Sequence, residues 1–366
     1  MTGRTSRRLV WWWPVLALAF FSLASVYGVG AVFKPSLLGV ILAAALLPVL
    51  FGTVFAAVYH SEVIAVRTGE PYGTLVLTVA VTVIEVALIT SVMAAGHGSA
   101  TLARDSVFAV VMLVCNGLVG LCIVIGGLRY REQSFRVTGA SSYLMVVMTL
   151  AILTMVLPDY TSSVTGPYYS TAQIIFVSVA TLALYATFLY IQTVRHRDYF
   201  ILEHDDAGAS HETFQEKGVA ASTLFLLLSL TVIVLLAKKF AAVLGVALEF
   251  TKAPSAVGGI IVALLVLLPE AMAAVTAARR NQLQKSINLA LGSTLATICL
   301  TVPAVAAVSI SIGQGIALGL DQKDIVLLVL TFAVSLLTFA TGRTNILAGF
   351  VHLVLLATFI FLVFAP

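Results

Sequence analysis

Charge is what this chain lacks. Asp, Glu, Lys and Arg make up only 10% of its 366 residues, while 60% are hydrophobic. A soluble domain carries roughly 25% charged residues, so a single aqueous core is excluded. Cysteine is scarce as well. Cys115, Cys122 and Cys299 all lie inside apolar runs, which excludes a disulfide framework or a CxxC metal site outside them and leaves packing roles. The chain has no HExxH, no P-loop and no mid-span aspartate. These absences argue against a zinc protease, an aspartyl intramembrane protease and a nucleotide-driven pump. The net charge of +4 suits basic loops and does not imply nucleic acid.

What is present is long apolar runs, whose natural solvent is lipid. About 20 apolar residues span the hydrocarbon as a helix, and backbone polar groups in lipid must be satisfied within the span. The expected fold class is therefore an all-α polytopic membrane protein. About eleven transmembrane helices are predicted, near 10–32, 37–60, 72–95, 106–128, 138–157, 171–194, 218–237, 255–278, 286–311, 324–341 and 344–364. The N-terminus imitates a signal peptide, but the length of its apolar run favours an uncleaved first helix. Trp11, Trp12 and Trp13 fit an interfacial aromatic belt. With the N-terminus inside, cytoplasmic segments hold 14 of the 20 Lys and Arg residues, which predicts a cytoplasmic N-terminus in the cell's inner membrane.

The longest polar segment, Arg195 to Gly218, divides the chain. Four parts are expected: 1–36, a basic segment and leading helix; 37–194, a first five-helix repeat; 195–217, an acidic and His-bearing cytoplasmic linker; and 218–366, a second five-helix repeat. An odd number of spans per half gives the halves opposite orientations. That is the inverted repeat of secondary transporters, with substrate sites near the midplane.

Of 16 acids, only Glu85 and Glu270 sit deep in apolar runs, each on the second span of its half. Equivalent positions in inverted halves would meet near the bilayer centre. An intramembrane acid marks an ion or substrate path by default. Burial disfavours the charged form of a carboxyl, so a deep pair can hold protons or release them to bind a cation. Calcium takes about six to eight oxygen ligands, and two carboxylates neutralise one Ca²⁺. Competition between protons and metal for the same oxygens is a physical basis for antiport. The opposing reading is a pair of neutral, hydrogen-bonded structural acids.

Other residues could serve such a site. Pro269 removes a backbone donor beside Glu270, which frees a carbonyl or merely kinks the helix. Thr78, Thr82 and Glu85 share one helical face; the hydroxyls could act as ligands or bond back to their own helix. Asn116 lies mid-span with Gly117 and Gly120. A buried amide needs partners, so it reads as a ligand, a site organiser or interhelical glue. Ser293 and Thr297 share a face, with Asn288 pointing elsewhere. Glu62, between His60 and Arg67, reads as a surface ion pair or an entry gate. The linker acids Asp198, Glu203, Asp205, Asp206, Glu212 and Glu216, with His196, His204 and His211, lack EF-hand spacing. They read as solvated linker or as a cation or pH sensor. His97 and His352 have no partner visible in the sequence.

Three stretches carry a resemblance: "YHSEVIAVRTGEPYGTLVLTVAVTVIEVALI", "RDSVFAVVMLVCNGLVGLCIVIGGLRYREQSF" and "LLPEAMAAVTAARRNQLQKSINLALGSTLATICLTVPAV". With their order they cover most of the chain from about residue 37. The sequence resembles the calcium/cation–proton exchangers of the cation/calcium exchanger superfamily, most closely the bacterial ChaA type. The resemblance places Glu85 and Glu270 on the glutamates of the family's two signature repeats. It places Asn116 on an asparagine of the first repeat, Gly292-Ser293-Thr294 on a GSS-like stretch of the second, and Glu62 on a family acid. It implies a cation/proton antiporter that exports Ca²⁺, Na⁺ or K⁺ by alternating access and has no cofactor; its partners are inorganic cations, protons and lipid. Thr82 and Leu267 stand where the family has Asn, Met112 where it has Ser, and Ala296 where Gln is common. These departures make the site poorer in oxygen ligands and leave room for a monovalent cation/proton antiporter. A channel and an intramembrane enzyme remain the other classes.

Overall fold

The computed structural model describes residues 3–26, 37–69, 72–94, 101–200, 218–313 and 315–365. In chain order the helices are α1 (Gly3–Val26), α2 (Leu37–Thr68), α3 (Tyr72–Ala94), α4 (Leu102–Met112), α5 (Val119–Tyr130), α6 (Val137–Ala151), α7 (Thr171–Tyr190), α8 (Val219–Thr251), α9 (Ser255–Arg279), α10 (Leu283–Ala296), α11 (Val302–Ile312), α12 (Gln322–Phe339) and α13 (Ile346–Phe364). Ten stretches of described helix are long and apolar enough to cross a membrane, and α1 adds a shorter apolar stretch, Val10–Val26. The chain is an all-α polytopic membrane protein with ten such spans and a leading helix. Four described spans run through a change of winding. π-helical segments Ile152–Val156 and Ile191–Arg195 follow α6 and α7. Two more lie inside spans: Leu113–Leu118 joins α4 to α5, and Thr297–Thr301 joins α10 to α11.

Local chemistry sets several helix ends. Ser170 and Gln173 form a capping box at the start of α7, which satisfies orphan backbone donors. Asn345 caps α13 by accepting from the Leu347 amide at 3.0 Å. Gly313, at φ +68°, closes α11 in the left-handed conformation that glycine adopts without a Cβ penalty.

The chain forms two compact units. The first comprises Met1–Leu102 and His211–Gly258. Within it α2 packs against α1, α3 and α8, and α3 also packs against α8. Ala24, Leu42 and Ala242 form a small buried cluster there. His60 is fully buried, with ring contacts to Trp11 at 4.5 Å and Phe225 at 5.5 Å.

The second unit comprises Ala103–Ser210 and Gly259–Pro366. Two pieces of strand pairing tie it together. β1 (Glu132–Ser134) runs antiparallel to β2 (Arg343–Asn345), with Gln133 opposite Thr344. An isolated antiparallel bridge joins Tyr168 to Ala317. α5 and α13 approach at Gly120 and Gly349, where an added Cβ on Gly349 would lie 2.8 Å from the Gly120 carbonyl oxygen. In lipid there is no hydrophobic drive between helices, and small residues let backbones close in.

Candidate functional site

Glu85 lies in the first unit, near the middle of α3, and is only 2% exposed. The helix around it has no other charged residue. Thr82, one turn earlier and half-buried, donates its hydroxyl to the Thr78 carbonyl at 2.9 Å. The back-bond uses the proton and leaves oxygen lone pairs for another partner.

Glu270 lies in the second unit, half-buried on α9 directly after Pro269. The helix continues through the proline, so the Leu265 carbonyl loses its usual amide donor. Its far end is held firmly. Ser286 of α10 donates to the Ala274 carbonyl at 2.7 Å, Gln133 of β1 to the Ala278 carbonyl at 3.2 Å, and Tyr130 to the Arg279 carbonyl at 3.0 Å.

Asn116 sits in the π-helical segment Leu113–Leu118 and is fully buried. Its Nδ2 donates to Thr331 Oγ1 at 2.8 Å, and its Oδ1 lies 3.1 Å from His352 Nδ1. His352 Nε2 lies 3.1 Å from Thr338 Oγ1. Met112 Sδ is the acceptor at the end of the chain, 3.5 Å from Thr331 Oγ1 and 3.7 Å from Asn116 Nδ2. A thioether is a weak acceptor, so this methionine adds no oxygen. No partner for His352 was visible in the sequence, and neither Thr331 nor Thr338 stood out there. One signal was available: Thr331, Ser335 and Thr338 recur at four and three residues on α12, which puts them on one face, and all three are buried.

The remaining candidates divide. Ser293 is half-buried on α10, ahead of the π segment that Thr297 opens. Thr294 is buried and donates to the Ala290 carbonyl at 3.4 Å. Asn288 is structural: it donates to the Phe200 carbonyl at 2.6 Å and accepts from Gln284 at 2.8 Å. Glu62 is exposed on α2. His196 stacks on Tyr199, and Asp198 is exposed. Glu203, His204, Asp205, Asp206, His211, Glu212, Glu216 and His97 lie outside the described residues.

A second polar cluster, missed in the sequence, lies where α4 and α12 begin. Arg104, 8% exposed, pairs with Asp105 at 2.9 Å and donates to the Gly319 carbonyl at 2.7 Å. Its guanidinium is 3.7 Å from Asp321. Beside it opens a cavity of about 540 Å³ lined by Asp159, Thr161, Ser162, Gly319 and Asp321 among others. Among the described residues no three His, Cys, Asp or Glu side chains are grouped to hold a metal ion.

The chain is similar to known proteins in sequence and in fold. A family model described as sodium/calcium exchanger protein matches residues 36–194 and 221–365. The y4hA protein of Sinorhizobium fredii is 45% identical over 320 residues, 87% of this chain and 87% of that one. The sodium-potassium/proton antiporter ChaA of Escherichia coli is 36% identical over 320 residues, 86% of this chain and 87% of that one. The solved structure of the Ca²⁺/H⁺ antiporter protein YfkE matches 99% of this chain and 100% of that one, with a TM-score of 0.71 at 18% identity. That last likeness is one of fold.

Proposed function

This chain belongs to the sodium/calcium exchanger protein family, and on that footing we propose that it is a secondary cation/proton antiporter of the cell's inner membrane. Glu85 and Glu270 form its midplane site, and inward protons drive export of Ca²⁺, Na⁺ or K⁺ by alternating access. The observation that carries the reading is Glu85, an acid 2% exposed in a span otherwise free of charge. Such a residue is costly in lipid and belongs to an ion path. Thr82, Asn116 and Ser293 supply or organise further oxygens, and Glu62 serves as a gate.

The repeats run 37–194 and 218–366, inverted about the membrane plane, with 1–36 leading and 195–217 linking them. Support comes from the loop pairings of the two halves. The third span of each half carries a π-helical segment, though the fourth and fifth spans of the first half carry one as well and their counterparts α12 and α13 do not. β1 follows the third span of the first half and pairs with β2, which follows the fourth span of the second. The Tyr168–Ala317 bridge uses the opposite choice of loops. Two pairings with exchanged roles are what a two-fold axis in the membrane plane generates. The N-terminus is cytoplasmic on this reading, which the Lys and Arg distribution supports. The acid-lined cavity at Asp159 and Asp321 then faces outward, where it receives released cations.

One observation favours a monovalent cargo. The Asn116 amide oxygen is engaged by His352, and Met112 offers sulfur where the family has a serine. The ChaA relative of Escherichia coli carries sodium-potassium in its name. The test is cation-driven pH change in proteoliposomes, comparing Ca²⁺, Na⁺ and K⁺. Cation flux without coupled proton movement would show a channel and end the antiport reading.

A further inference from the structure

We propose that His352 is a positioning residue for Asn116, fixing the carboxamide so that its oxygen points at the imidazole and its amine at Thr331. This rests on the antiport reading and adds a specificity element to it. His352 is the sole titratable side chain in α13 and is fully buried. Both ring nitrogens are engaged, Nδ1 by Asn116 and Nε2 by Thr338, each at 3.1 Å. A carbonyl oxygen only accepts, so Nδ1 carries the proton, and Nε2 accepts from the Thr338 hydroxyl. At its other end the amide donates to Thr331, whose own proton goes to Met112 Sδ. Turning the amide over would require the other imidazole tautomer and a reversed hydroxyl at both threonines. Amide and ring therefore move together or not at all.

The backbone supports the arrangement. Asn116 lies in a π-helical segment, a distortion that recurs at functional sites. The contact of Gly120 with Gly349 brings α13 close, and a Cβ on Gly120 would lie 2.9 Å from the His352 Cβ. The imidazole reaches Asn116 because both helices are stripped to backbone one turn away. Holding the amide oxygen on the ring weakens its availability to a cation. His352 thereby biases the site away from Ca²⁺, which gains most from each added oxygen.

The experiment separates the two ring nitrogens. In His352→Asn the side-chain amide reaches the Nδ1 position and keeps a donor to Asn116. In His352→Gln it reaches the Nε2 position and leaves Asn116 without a donor. Both proteins, with Asn116→Ala and the double variant His352→Gln/Asn116→Ala, are reconstituted, and half-saturating Na⁺, K⁺ and Ca²⁺ are read from cation-driven proton flux. A buried hydrogen bond contributes about 0.5–1.5 kcal/mol, so His352→Gln should shift half-saturating cation concentration by up to about tenfold, with His352→Asn within about threefold of wild type. Selectivity for Ca²⁺ over Na⁺ should rise in His352→Gln. The double variant should match Asn116→Ala alone, because one effect acts through the other. Equal impairment of the Asn and Gln variants, or effects that multiply in the double variant, would reduce His352 to interhelical packing and overturn the proposal. If wild type moves no protons with any of the three cations, the antiport reading itself falls. The same cycle is then read from cation-induced thermal stabilisation, where multiplying effects overturn the positioning role separately.

Discussion

Replacing Gly349 with alanine should force α5 and α13 apart and break the polar chain at Asn116. A Cβ on Gly349 would lie 2.7 Å from a Val124 methyl, 2.8 Å from the Gly120 carbonyl oxygen and 2.9 Å from the Val124 amide nitrogen. Contacts below 3.4 Å are tighter than nine in ten real ones, so the backbones must separate by about 0.6 Å, the difference between 3.4 and 2.8. Two of the three atoms are backbone and cannot rotate away. His352 lies almost one turn further along the same helix. The same displacement carries its 3.1 Å contact with Asn116 toward about 3.7 Å, outside hydrogen-bond range. Overpacking costs about 1–3 kcal/mol and the lost hydrogen bond about 1 kcal/mol. Gly349→Ala should therefore lose about 2–4 kcal/mol in a mixed-micelle unfolding titration, with selectivity for Ca²⁺ over Na⁺ raised in flux assays as in His352→Gln. Two controls grade the argument. A Cβ on Gly315 meets nothing nearer than 3.7 Å, and one on Gly117 meets the flexible tip of Leu356 at 3.1 Å. Both alanine variants should stay within about 0.5 kcal/mol of wild type. A Gly349→Ala protein as stable as these controls would refute the reasoning, because the geometry leaves no slack.

Glu85→Gln and Glu270→Gln should each reduce exchange to background in proteoliposomes while the protein still inserts, since glutamine keeps the volume and cannot trade a proton for a cation; near-normal exchange in either would sink the two-carboxylate site. Half-saturating cation concentration should fall as pH rises between about 6 and 9, because deprotonated carboxyls bind the cation, and Thr82→Asn should shift selectivity toward Ca²⁺ by adding an amide oxygen; affinity flat across that window contradicts proton competition. Deleting Glu203 to Glu212 should leave transport measurable with at most a shifted pH or cation dependence, and total loss from a correctly inserted deletion would assign the linker a larger role. Burial pushes the Tyr169 phenol up to about 12, and its hydroxyl donates to the Leu153 carbonyl at 2.5 Å. It is neutral folded or unfolded below about pH 10, so Tyr169→Phe should cost about 1 kcal/mol of stability at neutral pH without moving the pH profile of transport.

The helices and the acids were legible in the sequence because lipid penalises few things so heavily. An apolar run of span length has one stable form there, and Glu85 stands out against it. Asn116 was legible as a buried amide, but its partners were not. Thr331 is 215 residues away and His352 is 236, and nothing local records which distant helix packs on the π-helical segment. The segments themselves carry no compositional mark. "LVCNGL" and "TICLT" read as ordinary helix, and tertiary packing selects the wider turn. Thr82 had two open readings, and the structure shows the back-bond to Thr78. Asn288 was expected to point away from Ser293, and its bonds to Phe200 and Gln284 explain why. Arg104 and Asp321 escaped notice because each looks like a span-end charge until the loop at Gly319 folds between them.

The choice of cargo turns on how many oxygens remain uncommitted. Two carboxylates offer at most four oxygens, and Ca²⁺ wants about six to eight. The family's amides would supply the difference. Here Thr82 replaces one amide and spends its proton on its own helix, Leu267 replaces another, and the Asn116 oxygen faces an imidazole. Hydroxyls that donate to backbone carbonyls keep lone pairs, but these are neutral, weakly polarised ligands. A monovalent ion is served by such a set. Charge does not decide the cargo. In antiport the protons bind after the cation has left, so two carboxylates can exchange protons for one Ca²⁺ or for a monovalent ion. On the proposed reading, a site built from two acids and few amides favours exchange of monovalent ions and protons on shared oxygens. Restoring amide oxygens, at Thr82 or by releasing Asn116 from His352, is the change that turns it toward calcium.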